Sequence, residues 1–163
     1  MADRRLEESL RHIHPPKGAR SWHGGPTVLG ALRGVTPEAA SWKPYPDRHS
    51  IWELALHVAY WNYRVLARIS EELDFPRSPS DWPAVPEPAD ASAWQEDRRF
   101  VKEWHDRLVA GLESLDDHRL DEKAGNTETY VADIVTGVLL HDTYHAGQIQ
   151  LMKRLARSAG IGE

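Results

Sequence analysis

The chain has 163 residues, a formal net charge of -5 and no cysteine. That length suits one domain with a sizeable core that needs no metal or cross-link merely to fold. The missing thiols exclude disulfides, thiolate-held zinc, iron–sulfur clusters and a cysteine nucleophile, and leave His, Asp and Glu as metal ligands.

In chain order, Leu6, Leu10 and Ile13 share one helical face over residues 3–13, and Pro15-Pro16 stops or bends that first arm. Gly24-Gly25-Pro26 reads as a loop with proline at a first helical position. It opens a helix of about two to three turns through Val28, Leu29, Ala31 and Leu32, which Gly34 ends. Thr36-Pro37-Glu38 predicts a further short capped turn, and Pro44 and Pro46 impose an extended connector after it. Ser50, with Glu53 three residues on, has capping-box spacing and starts a long helix. Its apolar stripe is Ile51, Leu54, Val58, Trp61, Val65 and Ile69, with His57 on the inward flank. Five prolines within 75–90 forbid a helix or a central strand and predict a long loop between helices two and three.

A third helix is expected from about Ser92 to Leu115, with Trp94, Val101, Trp104, Leu108 and Leu112 at helical steps. Polar residues 116–127 return the chain, and Thr127 or Thr129 caps a last helix that runs to about Arg157. There Lys153, Arg154 and Arg157 suit the dipole. No stretch alternates with period two, so the prediction is an all-α four-helix bundle, one domain over 1–163. Most of the seven tryptophans are expected to be packing residues. The basic cluster Arg98-Arg99-Phe100-Val101-Lys102 sits amid Glu96, Asp97 and Glu103, which gives no extended field for phosphates. No run of about eighteen apolar residues occurs. A cytoplasmic protein that binds neither nucleic acid nor membrane is expected.

The chemistry concentrates in His141-Asp142-Thr143-Tyr144-His145-Ala146-Gly147-Gln148. Four-residue spacing puts two imidazoles on one helical face, about 5–6 Å apart at Cβ. The expected inward line runs through Tyr130, Ile134, Val138, His141, His145, Gln148, Met152 and Leu155, and no carboxylate falls at the same phase to neutralise the rings. An unpaired buried polar group costs about 1–3 kcal/mol. Two stacked imidazoles therefore point to something polar opposite them, most simply a divalent metal ion.

Two imidazoles do not complete a site, because catalytic zinc normally takes three protein ligands and keeps one position open. His57 is the best third candidate, mid-helix and inward. His105, four residues after Val101, is its rival, although Glu103 and Asp106 favour a solvent edge for it. Glu53, one turn before His57, is either the cap partner or an acceptor that orients the His57 ring. Gln148 either donates to a bound water or substrate carbonyl, or is a hydrogen-bonded core amide. HExxH, a phosphate loop and GxSxG are all absent.

The segment Ser50-Ile51-Trp52-Glu53-Leu54-Ala55-Leu56-His57-Val58-Ala59-Tyr60-Trp61, joined to the His141–Gln148 segment, resembles the DinB/YfiT-like superfamily over nearly the whole chain. Trp22-His23-Gly24-Gly25-Pro26, the turn at 36–40 and the proline-rich segment are similar in placement, while Pro15-Pro16 and the second glycine depart from the usual first arm. The resemblance implies a bundle with up-down-down-up connectivity, often dimeric, in which His57, His141 and His145 hold zinc or nickel. It thereby implies His57 over His105. It also implies a metal-dependent S-transferase that uses a low-molecular-weight thiol and an electrophile; Trp22, His23 and Trp82 are the candidate pocket residues for such a site. The rival readings are a hydrolase with water as nucleophile and a non-catalytic, stress-related metal-binding bundle.

Overall fold

Residues 4–19, 21, 23–69 and 73–162 are described in the computed structural model. They form helices α1 (Arg4–Leu10), α2 (Val28–Ala31), α3 (Pro37–Ser41), α4 (Ile51–Ile69), α5 (Ala91–Glu113) and α6 (Val131–Ser158), with a 3-10 turn at Asp117–Asp121. No strand occurs among the described residues. A single bridge, Lys123 to Tyr130, is the one β-type pairing between them. The all-α expectation therefore holds. Helix α4 packs on both α5 and α6, α1 lies against the same two helices, and α2 and α3 close the bundle on α6 and α4.

Local chemistry explains where the elements begin. The capping box forms at α4: the Glu53 N–H donates to Ser50 Oγ at 3.2 Å, and the Ser50 N–H donates to Glu53 Oε2 at 2.7 Å. Thr36 caps α3 with proline behind it, as predicted. Helix α2 is shorter than the spacing suggested. Thr27, not the glycines, supplies its cap by accepting from the Gly30 N–H, so Pro26 lies before the helix and not inside it. Asp90 starts α5 slightly ahead of the expected Ser92. Neither Thr127 nor Thr129 caps α6; both shape the preceding turn, and Glu122 C=O takes the Val131 N–H at 2.9 Å.

The buried face of α6 is rotated from the expected line. Val131, Val135, Val138, Leu139, Asp142, His145, Ala146, Ile149 and Met152 face inward, while Tyr130 and Leu155 are exposed. Asp142, not His141, thus lies at the centre of the stripe. His141 moves to its edge, half-buried, where a side chain is held yet reachable. On α4 the predicted stripe is buried except for Trp61.

The proline-rich segment is pinned at several points. Phe75 packs among Tyr60, Tyr63, Phe100 and Trp104 at ring separations of 5.2–5.6 Å. Arg77 pairs with Asp97, which is buried at 1 % exposure and also accepts from Trp52 Nε1 at 2.7 Å. A charge buried so deeply must be paired. This pairing clamps the loop to α5 and delivers Asp81 and Trp82 to one side of α4.

Candidate metal centre

His57 reaches this site from α4, and His141 and His145 reach it from α6. Their ring contacts, His57 against His145 and Trp61 against His141, show the two helices running in opposite directions here. All three point the same atom inward. His141 Nε2 lies 3.2 Å from His57 Nε2 and 3.1 Å from His145 Nε2, and the three candidate ligand atoms fall within 4.8 Å of one another. Tetrahedral ligands about 2.0–2.1 Å from one zinc stand about 3.3–3.4 Å apart. The contacts through His141 are close to that edge length.

The outer nitrogens decide what the inner ones can do. His57 Nδ1 lies 2.6 Å from the Asp81 carbonyl oxygen, which can only accept, so Nδ1 carries the proton and Nε2 a lone pair. His145 Nδ1 lies 2.6 Å from Gln148 Oε1, while Gln148 Nε2 donates to the Tyr144 hydroxyl at 3.0 Å. That orientation makes the Gln148 oxygen an acceptor and leaves His145 Nε2 as a second lone pair. His141 Nδ1 is buried without a hydrogen-bond partner and lies 3.7 Å from Asp142 Oδ1. In their neutral forms His57 and His145 therefore both turn a lone pair toward His141. Such a cluster is electron-rich and fits a cation, and no other group of three His, Asp or Glu ligands comes together among the described residues.

Burial reinforces the neutral state. It holds the His145 imidazole down to about 4, with His141 and His57 adding to the effect. It also lowers His57, against the opposing pull of the Asp81 carbonyl. Neutral imidazole is the form that ligates. Asp142 moves the other way: burial raises its carboxyl while neighbouring His141 opposes the rise. Asn62, fully buried beside it, opposes the rise as well.

Trp82 stacks on His57 at 3.9 Å and 11°, and His49 stacks on Trp82 at 3.5 Å. Trp82 therefore walls the site. Glu53 does not touch the His57 ring, because its oxygens are taken by the Ser50 N–H and Lys43 Nζ. His23 is exposed, accepts from the Gly25 N–H at 3.2 Å and neighbours His12, away from the cluster. Trp22 lies outside the described residues. His105 is buried, not at a solvent edge as its acidic neighbours suggested, but it faces His14 across a ring separation of 5.7 Å and takes no part in the triad.

Sequence reasoning missed Asp81, which no spacing ties to His57 across 24 positions. The one local signal is its type: Asp81 has φ of +71°, a left-handed conformation that aspartate tolerates better than most residues. Its carboxylate accepts from Trp61 Nε1 at 2.8 Å.

Residues 25–149, well over half of the chain, match the family model described as the DinB superfamily. The chain belongs to the DinB superfamily. The matched span contains all three converging histidines of this DinB-like bundle, together with Asp81 and Gln148, which orient two of them. No curated protein and no solved structure gives a significant match.

Proposed function

We propose that this DinB-like protein is a metal-dependent S-transferase, in which His57, His141 and His145 hold one divalent ion, zinc or nickel, and a small-molecule thiol is the nucleophile. The observation that supports it is the convergence of three Nε2 atoms, two of them fixed as lone pairs by Asp81 and Gln148. A divalent ion held there supplies a Lewis acid that lowers the pKa of a thiol or water and steadies the resulting anion. Three protein ligands leave a position open, which favours catalysis over a closed structural site. Partial exposure of the His141 side chain lets a small molecule reach it.

Thiol is favoured over water by what surrounds the nitrogens. A free thiol has a pKa of about 8.5 and needs no protein base once it meets a Lewis acid. Water is far less acidic and gains from a general base. The carboxylates nearest the cluster stand behind the rings, on the outer nitrogens: Asp142 lies 3.7 Å from His141 Nδ1, and Asp81, which also accepts from Trp61, lies 3.2 Å from His57 Nδ1. The chain has no cysteine, so the thiol must be a diffusible one, of the bacillithiol, mycothiol or glutathione kind. The test is to supply metal-loaded protein with a thiol and an alkyl or aryl electrophile, and separately with esters and amides. Thioether formation that stops on chelation supports the transferase, hydrolysis without thiol supports the hydrolase alternative, and neither activity supports a non-catalytic bundle.

A homodimer belongs to the same proposal. Leu140, Tyr144, Leu151 and Leu155 leave an exposed apolar stripe along α6, and a side chain at Gly147 would meet no atom within 4 Å, so a second helix can approach closely. Sedimentation should show a dimer that Leu151→Glu converts to a monomer. A monomeric parent protein would contradict it.

A further inference from the structure

Beside His141, a groove of about 330 Å³ runs between α4 and α6. Its walls are Trp61 and Val65 on one helix and Ile134 and Val138 on the other. Because α4 and α6 are antiparallel here, the ring of His141 meets Trp61 at one end, 5.7 Å between centroids, and seven residues further along α4 stands Arg68. At 1.5 Å per residue the groove is about 10 Å long. Its volume lies at the lower bound of small-molecule sites, about 300–1,000 Å³.

Two features mark this groove as a place for a ligand. Arg64 and Arg68 both line it, and neither makes an ion pair or hydrogen bond among the described residues, so both guanidinium groups are open to a ligand in the groove. The facing residues of α6 in the groove, Ile134, Gly137, Val138 and His141, include no acid. Guanidinium groups beside an apolar wall present planar forks of donors that suit a carboxylate. The second feature is Gly137. Glycine is poor in a helix interior, yet here it sits mid-helix, and a side chain built on it would meet nothing within 4 Å. Its absence keeps the groove open.

We infer that this groove binds an amphipathic carboxylate whose apolar body lies between Trp61, Val65, Ile134 and Val138, whose anionic end meets Arg64 and Arg68, and whose other end reaches the open side of the histidine cluster. The inference names the substrate class for the proposed transferase and rests on that reading only for the reactive end. The occupant has an extended chain of about eight heavy atoms, the length that fits about 10 Å, with a carboxylate at the end remote from the reacting atom.

Calorimetric titration with octanoate, and with octanol as the uncharged control, tests the anionic end separately from the metal. Octanoate is expected to bind metal-loaded and chelated protein alike, and octanol at least about tenfold more weakly. The double variant Arg64→Gln/Arg68→Gln should lose at least about tenfold of the octanoate affinity and leave octanol binding unchanged. Gly137→Leu, which fills the groove, should abolish both while the protein keeps its helical circular dichroism and its metal. Octanoate binding that is indifferent to the arginines, or that disappears on chelation, would overturn the inference. Loss of metal binding with octanoate binding intact would instead refute the metal centre and spare the groove.

Discussion

An imidazole can turn either nitrogen to a ligand, and in this protein the choice is made by the atoms behind the ring. Gln148 Oε1 accepts from His145 Nδ1 at 2.6 Å. Replacing Gln148 with Leu removes that acceptor while keeping bulk, and should weaken metal binding about 10- to 100-fold; competition against a chromogenic chelator measures it, and unchanged affinity would show that Gln148 orients nothing. The same lever is not available at Asp81, where the acceptor is a backbone carbonyl. His105 gives a separate test through pH. Burial, with His14 adding, lowers its pKa from 6.5 to about 4. Between those values the unfolded chain takes up a proton that the folded ring refuses, so the stability it contributes is complete above 6.5 and is lost as pH falls toward 4. Urea unfolding in chelator should show this fall, and His105→Leu should make it shallower, leaving the share due to His145 and His57. An unaltered slope would mean His105 does not titrate as a buried group. The HxxxH spacing and the inward flank of His57 were readable because helical periodicity is local. Burial of His105 was not, since the ring it meets, His14, comes from the turn after α1, which no spacing within α5 encodes.

At the scale of elements, the proline-rich loop matters more than its composition suggests. It carries the acceptor for His57 and the ring stacked on His57, and it is held by the buried Arg77–Asp97 pair and the Phe75 cluster. Asp97→Ala strips both Arg77 and the buried Trp52 N–H of their acceptor. A loss of about 2–3 kcal/mol in unfolding free energy is expected, with weaker metal binding as Asp81 loses its anchorage. A stable variant with unchanged metal affinity would mean the loop is positioned by its aromatic contacts alone. Proline spacing predicted a loop here, but not its docking, because Arg77 and Asp97 meet only through the tertiary fold. Capping chemistry read well at Ser50 and Thr36, where one side chain decides the start. It failed at α6, whose first N–H is taken by the Glu122 carbonyl across a turn. The inward line of α6 was displaced for a similar reason: Asp142 looks like a surface residue from its type, yet it lies at 1 % exposure behind His141.

For the whole molecule, the bundle brings together two segments 84 positions apart at a point where three imidazoles cannot all satisfy one another. No helix among the described residues is long and apolar enough to cross a membrane. An apolar core drawn from every helix and from the turns between them holds α4 against α6. A metal would therefore add stability to a bundle already formed, by an amount set by its concentration relative to its dissociation constant. The most direct measurement is elemental analysis of untagged protein beside its His57→Ala variant, both purified without chelator and checked for folding by circular dichroism. About one equivalent of a divalent metal in the parent chain, lost from the folded variant, is the predicted result. A parent protein that takes up no metal when dialysed against zinc or nickel, or a His57→Ala protein that retains a full equivalent, would contradict it.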